Sequence, residues 1–245
     1  MAAPDVALGA LAVLLATAAG ASAAFFLGCV DKRQYSAMLA FAAGAMAFSS
    51  VEMLLQSHSL AGDLIVAFGF AIGFLFLMAS EKLLPHAHMH VTKKELGKGG
   101  KKAVLIAGAI SLHNVPEGFA IATAFAASGP LGWFVTTAIA LQDIPEGALV
   151  STPLACLGLR KRAAVLFGIL SGAIEAAAAV LGYVFLSAFA GLVPVSLAFS
   201  AGAMTYVVFV EIMPDALGNG MERVAAAAFA AGAAVTFIVA AILAV

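Results

Sequence analysis

The sequence predicts an all-α integral membrane protein: one bundle of eight transmembrane helices with both termini outside the cytoplasm. Three observations predict it. The chain is 64% hydrophobic and only 10% charged, whereas an ordinary soluble domain has about 25% charged residues. The apolar residues fall into eight runs, each near the roughly 20 residues that cross a bilayer as a helix. Threaded as eight spans, the chain puts all 12 Lys and Arg residues on one side. A missed or invented span would scatter them over both faces.

Span 1 covers about 5–28. No basic residue precedes it and it is long enough to cross, so it reads as a retained helix rather than a cleaved leader. The segment Phe26-Leu27-Gly28-Cys29 resembles a lipidation site but lacks the basic start such signals have. Lys32 and Arg33 then lead into span 2, about 35–56. Span 3, about 62–85, ends at Lys82 and the longest connection, about 86–102. That connection carries Lys93, Lys94, Lys98, Lys101 and Lys102 and reads as a solvated loop at the lipid surface. Spans 4 and 5, about 103–126 and 131–156, are followed by Arg160, Lys161 and Arg162. Spans 6, 7 and 8 cover about 163–189, 194–216 and 221–244, with Arg223 opening the last. The basic side is cytoplasmic by the positive-inside rule, in a cell membrane, with the bacterial inner membrane the first expectation. The short connections favour a single domain over 1–245. Cys29 and Cys156 map near the cytoplasmic edge, where thiols stay reduced, so neither a disulfide nor a Cys-based zinc site is expected. Gly69/Gly73 and Gly168/Gly172 have small-xxx-small spacing, which reads first as close helix packing and leaves a homodimer open.

Four carboxylates interrupt these runs at mid-span: Glu117, Asp143, Glu146 and Glu175. Each costs about 2.5–3.5 kcal/mol on insertion scales at a bilayer centre. No Lys or Arg is near them in sequence, so a bound metal cation is the natural counter-charge. His113 and Glu117 are four apart and share a helix face, with Asn114 beside them at three. Gln142, Asp143 and Glu146 repeat the arrangement in span 5. Pro116 and Pro145 free the carbonyls of Leu112 and Leu141, which then need partners inside the membrane. The two motifs sit at similar depth in helices of opposite direction, as an inverted pair around a central site would. Imidazole, amide oxygen and carboxylate without thiolate suit zinc, ferrous iron, manganese or cadmium better than copper(I). Four ionised carboxylates match two divalent ions, with Glu117 and Glu146 as bridges. The bland alternative is a cluster of protonated, mutually hydrogen-bonded acids or a proton relay. It suits one isolated acid better than two Pro-Glu-Gly motifs flanked by His, Asn, Gln and Asp.

Glu52, His58 and Asp63 lie toward the outer mouth, as cation collectors or ordinary wetted helix ends. His86, His88 and His90 alternate before the Lys-rich connection, a pattern that can bind metal weakly. Lipid and metal ions are the expected partners, and no nucleic acid is. An intramembrane di-metal enzyme is the competing class. Di-metal helical bundles use paired Glu-x-x-His motifs, and this cluster has one His and no nucleophile–base pair.

At His113-Asn114-Val115-Pro116-Glu117-Gly118 and Gln142-Asp143-Ile144-Pro145-Glu146-Gly147 the chain resembles the ZIP family of divalent metal transporters, in its bacterial branch. The resemblance covers the eight-span plan, the outside termini and the long third connection. It implies metal transport into the cytoplasm through a binuclear site, by alternating access, with an elevator-like shift of the site-bearing helices. One metal would take His113, Glu117, Gln142 and Glu146. The other would take Asn114, Glu117, Asp143, Glu146 and Glu175. Met46 is implied as a further soft ligand, and Glu211, with Asp215 beyond Pro214, as lining the exit. Gln142 replaces a commoner His and leaves the metal open: zinc first, then cadmium, iron and manganese.

Overall fold

The computed structural model describes residues 2–26, 29–91, 98–218 and 220–244, with side chains described from residue 3 onward except over 81–112. Among the described residues the regular structure is all helical. The helices are α1 (Ala2–Ser22), α2 (Lys32–Ala61), α3 (Asp63–Val91), α4 (Lys98–Ala127), α5 (Gly129–Cys156), α6 (Lys161–Ala188), α7 (Val193–Tyr206), α8 (Met213–Leu217) and α9 (Glu222–Leu243). Among the described residues, six helical stretches are long and apolar enough to cross a membrane: Ala3–Phe25, Lys32–Ala61, Asp63–Ser80, Lys161–Ala188, Ala190–Leu217 and Glu222–Leu243. The polar motifs lie on α4 and α5.

Local signals start the helices where the sequence supplies them. Asp31 caps α2 by accepting from the Gln34 amide at 2.7 Å, and Gln34 Oε1 accepts from the Asp31 amide at 3.1 Å. The Ser128 hydroxyl accepts from Leu131 N at 3.2 Å and opens α5, with Pro130 in its first turn.

Three expectations change. The connection about 86–102 is helical at both ends, since α3 runs to Val91 and α4 starts at Lys98. A polar stretch ends a span but not the backbone bonding of its helix. Span 7 is broken: between α7 and α8 the chain makes a π-helical turn, Val207–Ile212, where Met213 N donates to Val208 O. Pro214 follows at once; it cannot donate to Val210, so the regular bonding fails there. Finally, Cys29 and Cys156 form a disulfide, with their Cα atoms 5.7 Å apart, where free thiols were expected. Separated by 127 residues, they meet because the α1–α2 connection folds under the end of α5.

The helices sort into two groups. In the first, α4 packs on α6, and α1 packs on both α5 and α6. In the second, α2 packs on α9 and α7, and α3 packs on α7. The groups meet where α2 touches α5 and α4 touches α7. Phe48 and Phe134 meet edge-on across that boundary at 6.4 Å, as do Phe119 and Phe199 at 6.0 Å. Buried Val13, Met46, Ile121, Phe134, Leu197 and Met204 belong to the main apolar core. The perimeter is apolar too: Leu181, Val184, Phe237, Ile242, Leu64 and Phe68 are exposed. An apolar rim around a partly polar interior is the arrangement a bilayer selects.

Contacts between helix ends define one basic end of the bundle. The disulfide joins the α1–α2 connection to the end of α5. Lys161 Nζ donates to Phe25 O at 3.1 Å, and Tyr35 Oη to Asp215 Oδ2 at 3.4 Å. The starts of α2 and α6 and the α8–α9 connection therefore share that end, with Lys32, Arg33, Arg160, Lys161, Arg162 and Arg223. At the opposite end the Ser57 hydroxyl donates to Pro194 O at 2.7 Å.

Candidate metal site

The motif residues lie near the middle of α4 and α5, and both motif glycines serve close helix contact. A Cβ on Gly118 would strike the backbone oxygen of Glu175 on α6. One on Gly147 would strike the backbone oxygen of Thr17 on α1. The two Pro-Glu-Gly motifs thus seat their helices against two neighbours, and α6 brings Glu175 to the same depth.

Glu117, Asp143 and Glu146 each offer a carboxylate oxygen, and these oxygens lie within 4.8 Å of one another. Glu117 and Asp143 are 1% exposed and Glu175 is 0% exposed, so no solvent screens them. Gln142 Nε2 donates to Glu117 Oε1 at 2.6 Å, tying the two motifs together. Glu175 lies against Asp143 and Asn114. Asn114 Nδ2 donates to the backbone oxygen of Ser171 at 3.2 Å, and the Ser171 hydroxyl donates to Asn114 Oδ1 at 3.2 Å. His113 interacts with Glu146 and pairs through Nε2 with Glu211 Oε2 at 2.8 Å.

Many of the polar atoms gathered here lack a hydrogen-bond partner. Glu117 Oε2, Gln142 Oε1, Asp143 Oδ2, Glu146 Oε1, both Glu175 oxygens and His113 Nδ1 are buried and unpartnered. Unpaired buried acceptors of this kind are costly. All but the imidazole nitrogen are oxygens, and all are hard or borderline donors, the chemistry a divalent cation satisfies.

The structure brings together seven of the expected ligands: His113, Asn114, Glu117, Gln142, Asp143, Glu146 and Glu175. Met46 is 1% exposed and packed in the main apolar core. Glu211 sits on the π-helical turn, paired with His113. Asp215 lies farther toward the basic end, beside Tyr35. Of the outer residues, His58 and Asp63 pair at 3.0 Å on an exposed surface, and Glu52 stands half-buried on α2. His86, His88 and His90 fall outside the described side chains. Sequence reasoning missed Ser171 and Thr17, two hydroxyls packed against the ligands. The spacing of Ser171, four before Glu175 on one helix face, was the available signal.

The ZIP Zinc transporter family model matches residues 90–240. The Zinc transporter ZIPB of Bordetella bronchiseptica is 36% identical over 242 residues, covering 92% of this chain and 77% of that protein. The Zinc transporter ZupT of Nitratidesulfovibrio vulgaris is 33% identical over 232 residues, covering 82% and 83%. The Zinc transporter GufA of Myxococcus xanthus is 41% identical over 162 residues, 64% of this chain. The match spans 63% of GufA's own length, just under two thirds.

Proposed function

The chain belongs to the ZIP zinc transporter family, and from that premise we propose that it carries divalent metal ions, zinc first, across a membrane into the cytoplasm. The observation that carries the reading is the cluster of unpartnered carboxylate oxygens at Glu117, Asp143 and Glu146. Metal is the cargo here, not a resident cofactor. Two ions per chain suit the ligand count, one toward His113 and Gln142, the other toward Asn114, Asp143 and Glu175, with Glu117 and Glu146 shared. Met46 is a further soft ligand only if it turns out of its apolar packing. Cadmium, iron and manganese suit the same donors.

The route follows from the ends of the bundle. With eight spans the basic end is cytoplasmic, in a bacterial inner membrane, and both termini face outward. Glu52, His58 and Asp63 stand at the outer end and collect cations there. Glu211, one helical turn from Asp215, leads from the cluster toward the basic end. It pairs with His113 and takes the ion as it leaves. His86, His88 and His90 would receive the ion at the cytoplasmic surface. The two helix groups supply the moving parts: α1, α4, α5 and α6 shift as a unit against α2, α3, α7 and α9.

The test is radioactive zinc uptake into sealed proteoliposomes by the wild type, Glu117→Ala and Glu146→Ala. Saturable uptake lost in both folded variants, by about 100-fold or more, is the expected result, at or beyond the upper range seen when even outer-shell partners are removed. Tight zinc binding with no flux in the wild type would overturn it.

A further inference from the structure

Two hydroxyls, Ser171 on α6 and Thr17 on α1, lie outside the ligand set and against it. Both are buried, at 4% and 3% exposure. Ser171 holds Asn114 at both ends of its amide. Asn114 Nδ2 donates to Ser171 O, and the Ser171 hydroxyl donates to Asn114 Oδ1, each at 3.2 Å. The backbone oxygen can only accept, so it fixes the nitrogen side of the amide. That same nitrogen side faces Glu175, one helical turn from Ser171. A lone amide in an apolar helix could rotate; this one cannot without losing two hydrogen bonds.

Thr17 does the corresponding work from the other side. Its backbone oxygen packs on Gly147, and a Cβ on Gly172 would come within 2.8 Å of its hydroxyl oxygen. It is therefore wedged between α5, which carries Asp143, and α6, which carries Glu175. Its hydroxyl donates to Val13 O at 2.9 Å and lies beside the Asp143 carboxylate. Most transmembrane hydroxyls bond only back along their own helix, as Thr137 does to Trp133 O at 2.8 Å and Thr205 to Ala201 O at 2.7 Å. The Ser171 hydroxyl instead donates to a ligand on another helix, and the Thr17 hydroxyl, back-bonded to Val13 O, lies beside one.

We propose that Ser171 and Thr17 are positioning residues that orient the amide of Asn114 and the carboxylate of Asp143 for the second metal ion. They do not touch the ion. They set the direction of two ligands that belong to one ion position and not the other. This rests on the proposed metal site and adds to it the support from α1 and α6. Removing a partner behind a metal ligand lowers metal affinity by about 10–100-fold, so the effect is measurable without loss of fold.

The experiment is equilibrium zinc binding to the purified, detergent-solubilised protein, with thermal melting of each metal-free variant. Ser171→Ala and Thr17→Val remove one hydroxyl each at nearly constant volume. Each is expected to weaken one zinc-binding phase about tenfold and to leave the other near wild type, with melting of the metal-free protein near that of the wild type. Thr17→Ser, which restores the hydroxyl, is expected to recover most of the loss from Thr17→Val. Zinc affinity within about twofold of wild type in both hydroxyl-less variants would overturn the proposal, whatever their melting temperatures. Glu117→Ala separates the two levels of inference. If it binds zinc as the wild type does, the metal site itself fails; if it loses zinc while Ser171→Ala and Thr17→Val keep it, only the positioning role fails.

Discussion

The two helix groups fill their interiors differently. Between α1, α4, α5 and α6 lie carboxylates, amides and an imidazole with unpartnered atoms. Among α2, α3, α7 and α9 the described interior is apolar apart from Ser and Thr hydroxyls, many bonded to their own helix, as Thr236 is to Gly232 O at 3.0 Å. Yet both groups are tied internally by the same device. Gly147 meets the backbone of Thr17 in the first group, and Gly44 meets the backbone of Phe229 in the second. Across the boundary the contacts are between side chains: the rings of Phe48 with Phe134 and Phe119 with Phe199, and the His113–Glu211 pair. Backbone-to-backbone seams admit no sliding, because small residues interlock at fixed register. Side-chain faces can repack. The comparison therefore separates three things: a group whose interior gathers buried carboxylate, amide and imidazole atoms, a group whose buried polar atoms are hydroxyls, and the side-chain boundary between them.

The largest effect should come from filling a seam in the second group. Gly44→Leu drives side-chain atoms into the Phe229 backbone and should cost at least about 3 kcal/mol, the upper end of overpacking. Thermal melting in detergent checks it, and a near-wild-type melting curve would remove the seam from the account. Next comes the metal itself. Zinc at about 100 times its dissociation constant should stabilise the wild type by about 2.7 kcal/mol, and should not stabilise Glu117→Ala. Equal stabilisation of the two would place the ion elsewhere.

A smaller effect is expected from pH. Carboxylates bind metal only after losing their protons, so acid competes with zinc. At sub-saturating zinc with speciation controlled, initial uptake should fall several-fold between about pH 7.5 and 5.5. Flat rates over that range would count against the carboxylate cluster as the route. The smallest change should come from Phe119→Leu at the boundary. It conserves most of the buried volume and should cost less than about 1.5 kcal/mol. Its uptake rate should nevertheless change, because the proposed shift takes place at that boundary; an unchanged rate would argue that the groups do not shift there.

Much of this was legible in the sequence for physical reasons. Hydropathy marks helices that face lipid, and the chain is all helical among the described residues, with six stretches long and apolar enough to cross a membrane. Charge marks the site, because a carboxylate in an apolar run has few explanations and helical spacing says which ligands share a face. The parts that were not legible depend on contacts between distant segments. Cys29 and Cys156 carry no signal of their pairing. Ser171 and Thr17 are neutral hydroxyls of a kind common in membrane helices, so composition cannot single them out. The π-helical turn had one local sign, Pro214, but only the fold shows that the turn aims Glu211 at His113. The division into two groups is likewise a property of packing, since every span looks alike to a hydropathy count.

Anomalous diffraction at the zinc edge from zinc-soaked crystals tests the central claim most directly. The account predicts zinc peaks among Glu117, Asp143 and Glu146, with oxygen and nitrogen ligands at about 2.0–2.2 Å and no sulfur from cysteine. Zinc found only at exposed positions such as the His58–Asp63 pair, with the cluster empty at saturating metal, would contradict it.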